Sequence, residues 1–310
     1  MGSALECLPR GSRVAVLRLR SLGDCVLTTP ALDILKRTRP DLRLAVAVED
    51  RFRAVFEENP DLEQILPPEL GALRTFRPTL CLNLHGGSRS AWMTALSGAR
   101  YRAGFAHFRH RLVYNIRIPR AQEILGVDRV VHTAEHLASA MFYLGAPRVE
   151  IPRARLFPSE PPPLGSGPLF DGPTHYAIVH PFAATPDKTW RTESFLAIAD
   201  HLKQSGLDPI FIGAAGDDLG PFRAFRTACE PLARIKQLLA AASVFVGNDS
   251  GPAHMAAAFG LPVVVIFGSS NPAIWGPWQT ASEIVTAPGG IAQIQTAQVL
   301  EALTRVRVHA

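Results

Sequence analysis

Short, nearly unbroken apolar runs recur along this chain, and most are followed by a stretch of helical character. In the first half, VAVLRLR (Val14–Arg20), LAVAV (Leu44–Val48) and LCLNL (Leu80–Leu84) predict strands. Between the first two, Val26–Arg39 carries Leu32, Leu35 and Lys36 at helical spacing. In the second half the strand candidates are YAIVH (Tyr176–His180), PIFIG (Pro209–Gly213), SVFVG (Ser243–Gly247) and PVVVIFG (Pro262–Gly268). Glu193–Gln204, Leu232–Ala242 and Pro252–Phe259 supply helices between them. Val/Ile runs without polar alternation mark parallel strands buried on both faces, with helices as the covering layers. The predicted fold class is therefore α/β: two Rossmann-like, doubly wound domains facing a central cleft. Ala292–Arg305 is a further helical candidate, of the kind that can cross back to the first lobe of a two-lobed protein.

PSEPPPLGSGPLFDGP (Pro158–Pro173) holds six prolines and three glycines, which cannot sustain a helix or a central strand. It reads as a semi-rigid linker and divides the chain into domains at 1–163 and 164–310. The total of 310 residues fits two domains. With 47% hydrophobic and 19% charged residues, the composition is that of a globular protein rather than a disordered one.

Cys7, Cys25, Cys81 and Cys229 are scattered without a C-x-x-C pair, which fits free thiols in a reducing compartment. No apolar stretch reaches the ~18 residues of a membrane span. The N-terminal MGSALECLPRGS lacks the apolar core of a signal peptide, and Glu6 stands where a myristoylation signal wants Ser or Thr. A cytoplasmic protein is expected.

The net charge of +5 is unevenly placed. Residues 1–163 hold 23 Lys/Arg against 16 Asp/Glu, whereas the remainder holds 9 against 11. Arg100, Arg102, Arg109, Arg111, Arg117 and Arg120 form a run without an acid. Such a face suits an anionic glycan, an anionic membrane or nucleic acid, or is a solvated arginine-rich surface. Nucleic acid is the weakest of these, because no stacking aromatics interleave with the arginines.

Ligands of open parallel sheets bind at strand C-termini, where helix N-termini present free N–H groups. Four segments fit. In RLRSLGD (Arg18–Asp24) a strand end meets a helix start, and Asp24 is either a helix N-cap or a catalytic carboxylate. In GNDSGPAH (Gly247–His254), Ser250 and Gly251 offer amides and a hydroxyl to a phosphate, and Pro252 suits a first helical turn. In HPFAATPDKTW (His180–Trp190), Lys188 beside Thr185 can reach a pyrophosphate or is simply an exposed loop lysine. In GAAGDD (Gly213–Asp218), an acid after a strand can hold a ribose or cap a helix.

G-x-G-x-x-G, the Walker A loop, D-x-D spacing and G-x-S-x-G are all missing, which leaves no standard dinucleotide fingerprint, metal clamp or hydrolase nucleophile. His132-Thr-Ala-Glu135-His136 matches H-x-x-E-H but reads as the surface of an amphipathic helix.

Taken in order, RLRSLGDCVLTTPALDILKRTRPD (Arg18–Asp41), LNLHGGSRSAW (Leu82–Trp92), YRAGF (Tyr101–Phe105), VHPFAATPDKTW (Val179–Trp190) and VGNDSGPAHMAAAFGLPVVVIFGSSNP (Val246–Pro272) resemble glycosyltransferase family 9, the bacterial ADP-heptose:lipopolysaccharide heptosyltransferases. The resemblance implies a GT-B fold, with an acceptor-binding first domain and a nucleotide-sugar-binding second. It implies an inverting, metal-independent transfer with no cofactor, from ADP-heptose or another nucleotide sugar to an anionic glycolipid acceptor. Asp24 then stands as general base, and Lys188, Asp249, Ser250 and Gly251 as the nucleotide-sugar site, joined by Thr185, Asp217 and His254. Arg89, Arg109 and Arg111 are candidates for acceptor contacts. Peripheral contact with the cytoplasmic face of the inner membrane would follow.

The family has an extra short strand and a glycine loop between the second and fourth strands of the second domain. GDDLGPFRAFRTACEPLARIKQLLAAASVFVG (Gly216–Gly247) looks too short to hold them, which motivates an alternative reading: a degenerate nucleotide-sugar-binding protein without turnover. A sugar-nucleotide epimerase shares the fold but would need no acceptor site.

Overall fold

The computed structural model describes residues 3–159 and 175–306. The chain divides into two compact units, Met1–Phe157 and Pro158–Ala310. The boundary expected at 163/164 and nearly all of the proline-rich linker lie outside the described residues.

The first unit runs β1 (Arg13–Leu17), α1 (Leu22–Thr38), β2 (Arg43–Ala47), β3 (Leu62–Leu66), α2 (Leu70–Phe76), β4 (Leu80–Asn83), α3 (Ser88–Leu96), β5 (Tyr101–Phe105), β6 (Ile116–Ile118), α4 (Ala121–Leu125) and α5 (Thr133–Leu144). Its six strands pair in parallel in the order β3-β2-β1-β4-β5-β6. The second unit runs β7 (Tyr176–His180), α6 (Thr192–Gln204), β8 (Asp208–Ile212), β9 (Arg226–Ala228), α7 (Leu232–Ala240), β10 (Val244–Asn248), α8 (Gly251–Phe259), β11 (Val263–Ile266), α9 (Pro272–Trp275), β12 (Ser282–Val285) and α10 (Thr296–Arg305). Its parallel order is β12-β11-β10-β7-β8-β9. Counted from its own first strand, the second sheet repeats the order of the first. The doubly wound α/β class read from the sequence is therefore present twice.

One expectation is corrected. The segment between β8 and β10 does contain a further strand and a glycine-bearing loop. β9 pairs with β8 from Ile210↔Arg226 to Ile212↔Ala228, and Gly216 turns the preceding loop at φ +110°. Three residues are enough for this edge strand, and its Arg-Thr-Ala sequence lacks the apolar run that marks an interior one. The C-terminal helix, α10, packs on β12, β11 and α6 of its own unit, burying Val299, Ala302 and Leu303. Its narrow apolar stripe finds a sheet face directly beside it.

Helix α1 begins at Leu22, earlier than the periodicity indicates, because Ser21 and Asp24 close a capping box around its first turn. Pro30 lies inside this helix and cannot donate to the Val26 carbonyl. The Thr29 hydroxyl donates to that carbonyl instead, at 2.8 Å.

The fourth strand of each sheet ends in a fully buried asparagine that ties together the loops leaving the sheet. Asn83 donates to Ser90 Oγ (3.1 Å) and Tyr114 Oη (2.9 Å) and accepts from the backbone N–H groups of His85 and Gly86. Asn248 donates to the Pro181 carbonyl (2.8 Å) and accepts from the Trp190 N–H (3.1 Å). In Asn248→Ala both backbone groups lose their partner in a dry interior, a loss of about 2–4 kcal/mol. Urea unfolding of the variant against the wild type measures it.

His180, the last residue of β7, is 8% exposed, and burial pushes its imidazole down to about 4. The folded state therefore holds it neutral while the unfolded chain binds a proton below about 6.5. Its stabilising contribution is complete above pH 6.5 and is lost as pH falls towards 4. Between pH 6.5 and 5 the loss is on the order of 2 kcal/mol. Unfolding free energies at the two pH values should differ by about that much more in the wild type than in His180→Asn.

Candidate active site

In each unit the first and fourth strands are neighbours, and the segments that follow them wind away in opposite directions. This switch point is where doubly wound sheets leave room for a ligand.

In the first unit the switch point lies between β1 and β4. Arg18, just past β1 and 4% exposed, donates to the Leu84 carbonyl and places Nη1 3.3 Å from Asp24 Oδ1. Burial lowers the pKa of this guanidinium, and the Asp24 carboxylate is the main opposing influence. The second carboxylate oxygen of Asp24 accepts from Ser21 Oγ (3.0 Å) and from the Ser21 N–H (3.4 Å). Asp24 is thus not the N-cap, which is Ser21, but a first-turn residue of α1 whose side chain remains 23% exposed. It opens on a cavity of about 560 Å³ lined by Arg18, Arg20, Ser21, Asp24, Arg51, Phe52 and His85. Three guanidiniums and an imidazole thus surround one carboxylate, a setting for an anionic molecule.

Nothing in the local sequence marks His85, the second residue after Asn83 at the end of β4, as a lining residue of this cavity. Its Nδ1 is buried and makes no hydrogen bond. Desolvation and then the Arg18 charge lower its pKa, keeping the ring neutral.

The three candidate acceptor arginines separate. Arg109 and Arg111 are exposed on the connection from β5 to β6. That connection touches the loop carrying His85: His110 Nε2 lies 2.8 Å from Ser88 Oγ, and the Phe108 ring fills the space where Gly86 would carry a Cβ. Arg89 instead donates to the Pro68 carbonyl at 2.6 Å and lines a different groove, beside α2 and α3.

In the second unit the switch point lies between β7 and β10. Lys188 ends a 3-10 turn (Pro186–Lys188) after β7 and sets Nζ 3.3 Å from Asp249 Oδ2. The Ser270 hydroxyl donates to the same carboxylate oxygen. Ser250 is the N-cap of α8, yet its hydroxyl makes no capping bond and lies 3.0 Å from His180 Nδ1. Helix α8 therefore opens, from Gly251 onward, without a side-chain cap, and the positive end of its dipole is available to an anion. Close packing holds this arrangement. A Cβ on Gly268 would collide with the Asp187 carbonyl, and one on Gly247 with the His180 carbonyl.

Lys188, Asp249, Ser250 and Gly251 thus come together, with His180 and Ser270 as partners the sequence reading had not singled out. Thr185 caps the 3-10 turn at the margin, and its hydroxyl bonds Asp187. Asp217 follows β8, where its carboxylate accepts from the Ala214 N–H at 2.7 Å. It is near enough to His180 to raise that group's pKa slightly against the larger effect of burial. His254 lies within α8, 5% exposed, its ring 6.5 Å from that of Trp275.

The H-x-x-E-H segment serves α5. His132 Nδ1 accepts from the Ala134 N–H, Glu135 completes a capping box and pairs with Arg129, and His136 stacks on Phe105 at 4.1 Å. Among the described residues no group of three or more His, Cys, Asp or Glu side chains is placed to hold a metal ion.

The model of glycosyltransferase family 9 (heptosyltransferase) matches residues 71–299. Lipopolysaccharide heptosyltransferase 3 of Escherichia coli K12 is 25% identical over 298 residues, covering 84% of this chain and 83% of that protein. A family 9 glycosyltransferase from Veillonella parvula superposes with a TM-score of 0.82 at 20% identity, covering 94% of this chain and 96% of the other. The E. coli heptosyltransferase WaaC, solved with ADP, gives 0.76 at 20% identity, covering 94% and 99%. With a match spanning most of its length and two doubly wound sheets of the GT-B class, this chain belongs to glycosyltransferase family 9, the heptosyltransferases.

Proposed function

We propose that this glycosyltransferase moves heptose from ADP-heptose to a lipopolysaccharide core acceptor, with inversion and without a metal ion. The observation that carries the reading is the complementary chemistry at two equivalent switch points: a carboxylate set among cations in the first unit, and a lysine beside an uncapped helix start in the second. The relative named lipopolysaccharide heptosyltransferase 3 and the neighbour solved with ADP support the choice of acceptor and donor.

In this mechanism the acceptor hydroxyl attacks the anomeric carbon of the donor as Asp24 takes its proton. The bond from the anomeric carbon to the diphosphate oxygen breaks, and ADP leaves with the electron pair. Lys188 and the first N–H groups of α8 stabilise the charge growing on the diphosphate, as Ser250 and Gly251 bring backbone close to it. Arg18 holds the Asp24 carboxylate in place from below. Asp217, on the loop before β9, takes the nucleoside in this reading, and Arg109 and Arg111 take acidic groups of the acceptor. The first domain thus takes the acceptor and the second the nucleotide sugar. The glycine loop and β9 remove the reason for reading the chain as a degenerate binder.

Asp24→Asn keeps the shape and the hydrogen-bonding oxygen but removes the base. Transfer should fall by at least about 10²–10⁴-fold, the usual worth of general base catalysis. Donor affinity by calorimetry should change by less than about twofold. Wild-type turnover in this variant would remove Asp24 from the reaction. Lys188→Ala removes a charge-assisted contact to the diphosphate, and ADP should bind about 10- to 100-fold more weakly by the same calorimetry.

A further inference from the structure

We propose that the α2–α3 face of the first unit docks on an anionic lipid bilayer, with Arg13, Arg74 and Arg77 seating lipid phosphates while Trp92 and Leu96 enter the boundary between headgroups and acyl chains. The proposal rests on the reading above only in that a lipid-linked acceptor gives docking a purpose.

Trp92 is 57% exposed and Leu96 46% exposed, both on α3. Together with Pro68, Leu70 and Met93 they line an apolar groove of about 380 Å³. Beside it is a second cavity, of about 450 Å³, lined by Arg13, Arg74, Thr75 and Arg77 and by no carboxylate. Arg74 joins the two, because it lines the second while its Nε donates to the Leu96 carbonyl at the edge of the first. Glu63 acts on Arg13 electrostatically, but its carboxylate is forked onto Arg43. Glu69 is the single acid lining the apolar groove. Exposed Trp and Leu beside clustered guanidiniums match the layered chemistry of a bilayer surface, where the aromatic ring sits at headgroup depth and the cations at the phosphates. A protein partner with an acidic rim lacks that ordering. The face extends from Pro68, beyond the C-terminal end of β3, to Arg13 at the start of β1.

The test is flotation of the full chain with vesicles of phosphatidylcholine alone and of phosphatidylcholine mixed with phosphatidylglycerol, without donor or acceptor. The wild type should float with the anionic vesicles, stay behind with the neutral ones, and release at high salt. Each guanidinium at such a surface contributes about fivefold, so Arg74→Glu/Arg77→Glu should bind on the order of 25-fold or more weakly. Trp92→Ser should also weaken binding. All three positions are exposed, and unchanged urea midpoints would show that the fold is intact. Four outcomes would overturn the proposal: wild-type flotation in both variants; loss only in Arg109→Glu/Arg111→Glu; complete block by inorganic phosphate without a matching effect of chloride at equal ionic strength; or a dimer in solution that Trp92→Ser dissolves. Transfer to a water-soluble acceptor, measured separately, distinguishes failure of docking from failure of the enzymatic reading.

Discussion

A parallel sheet whose crossovers wind both ways leaves a gap between its first and fourth strands, where no helix covers the strand ends. The backbone groups there need partners that secondary structure does not provide. The candidate site residues of both units are built around meeting that need. In the first unit Asn83 takes up the amides of His85 and Gly86, and Arg18 takes the Leu84 carbonyl. In the second unit Asn248 joins the Pro181 carbonyl to the Trp190 amide. The side chains that close the gap also fix where the reactive groups sit. Arg18 satisfies a carbonyl with one nitrogen and aims Asp24 with another, while His180 ends a strand and draws the Ser250 hydroxyl away from the helix it would otherwise cap.

The same topology thus presents a carboxylate set among cations in one copy and a lysine beside an uncapped helix start in the other. Placing a buried guanidinium beneath Asp24 opposes the desolvation cost of the charged carboxylate, and the surrounding arginines leave the cavity attractive to an acidic molecule. In the second unit the half-buried cation at the switch point is Lys188, and Asp249 accompanies it with one oxygen only, leaving further ammonium hydrogens for an incoming anion. Neutral His180 beside Ser250 adds no competing charge at neutral pH. The carboxylate of the first turn of α1 and the cationic, amide-rich start of α8 both lie where strands hand over to helices, while the sheets beneath them are alike.

Apart from β5, whose YRAGF sequence has Arg102 and Gly104 interrupting the apolar run, the interior strands were legible because burial on both faces forces continuous Val, Ile and Leu runs, as in β1, β2, β10 and β11. The outer strands were not. β3 reads LEQIL, β6 IRI, β9 RTA and β12 SEIV, each mixing exposed polar positions with a few buried ones. Edge strands need neither length nor an unbroken apolar run, and the expectation of a shortened second domain failed for that reason. Asp24, Lys188, Asp249, Ser250 and Gly251 could be read from strand-to-helix junctions. His85 and Asn248 could not, because nothing local distinguishes a histidine two residues after a strand, or an asparagine ending one. Their significance depends on which strands become neighbours.

The helix start at Ser21 shows how such local detail bears on chemistry. Had Asp24 been the N-cap, its carboxylate would be turned back onto the N–H groups of its own helix and occupied there. As the third residue of the first turn it reaches the N-cap with one oxygen and Arg18 with the other, and its outer edge still faces the cavity. Gly23 is a poor helix former, yet the capping box and the packing of α1 against α5 override its propensity. A carboxylate anchored at both oxygens keeps one orientation, and a hydroxyl that meets it does so in a defined geometry.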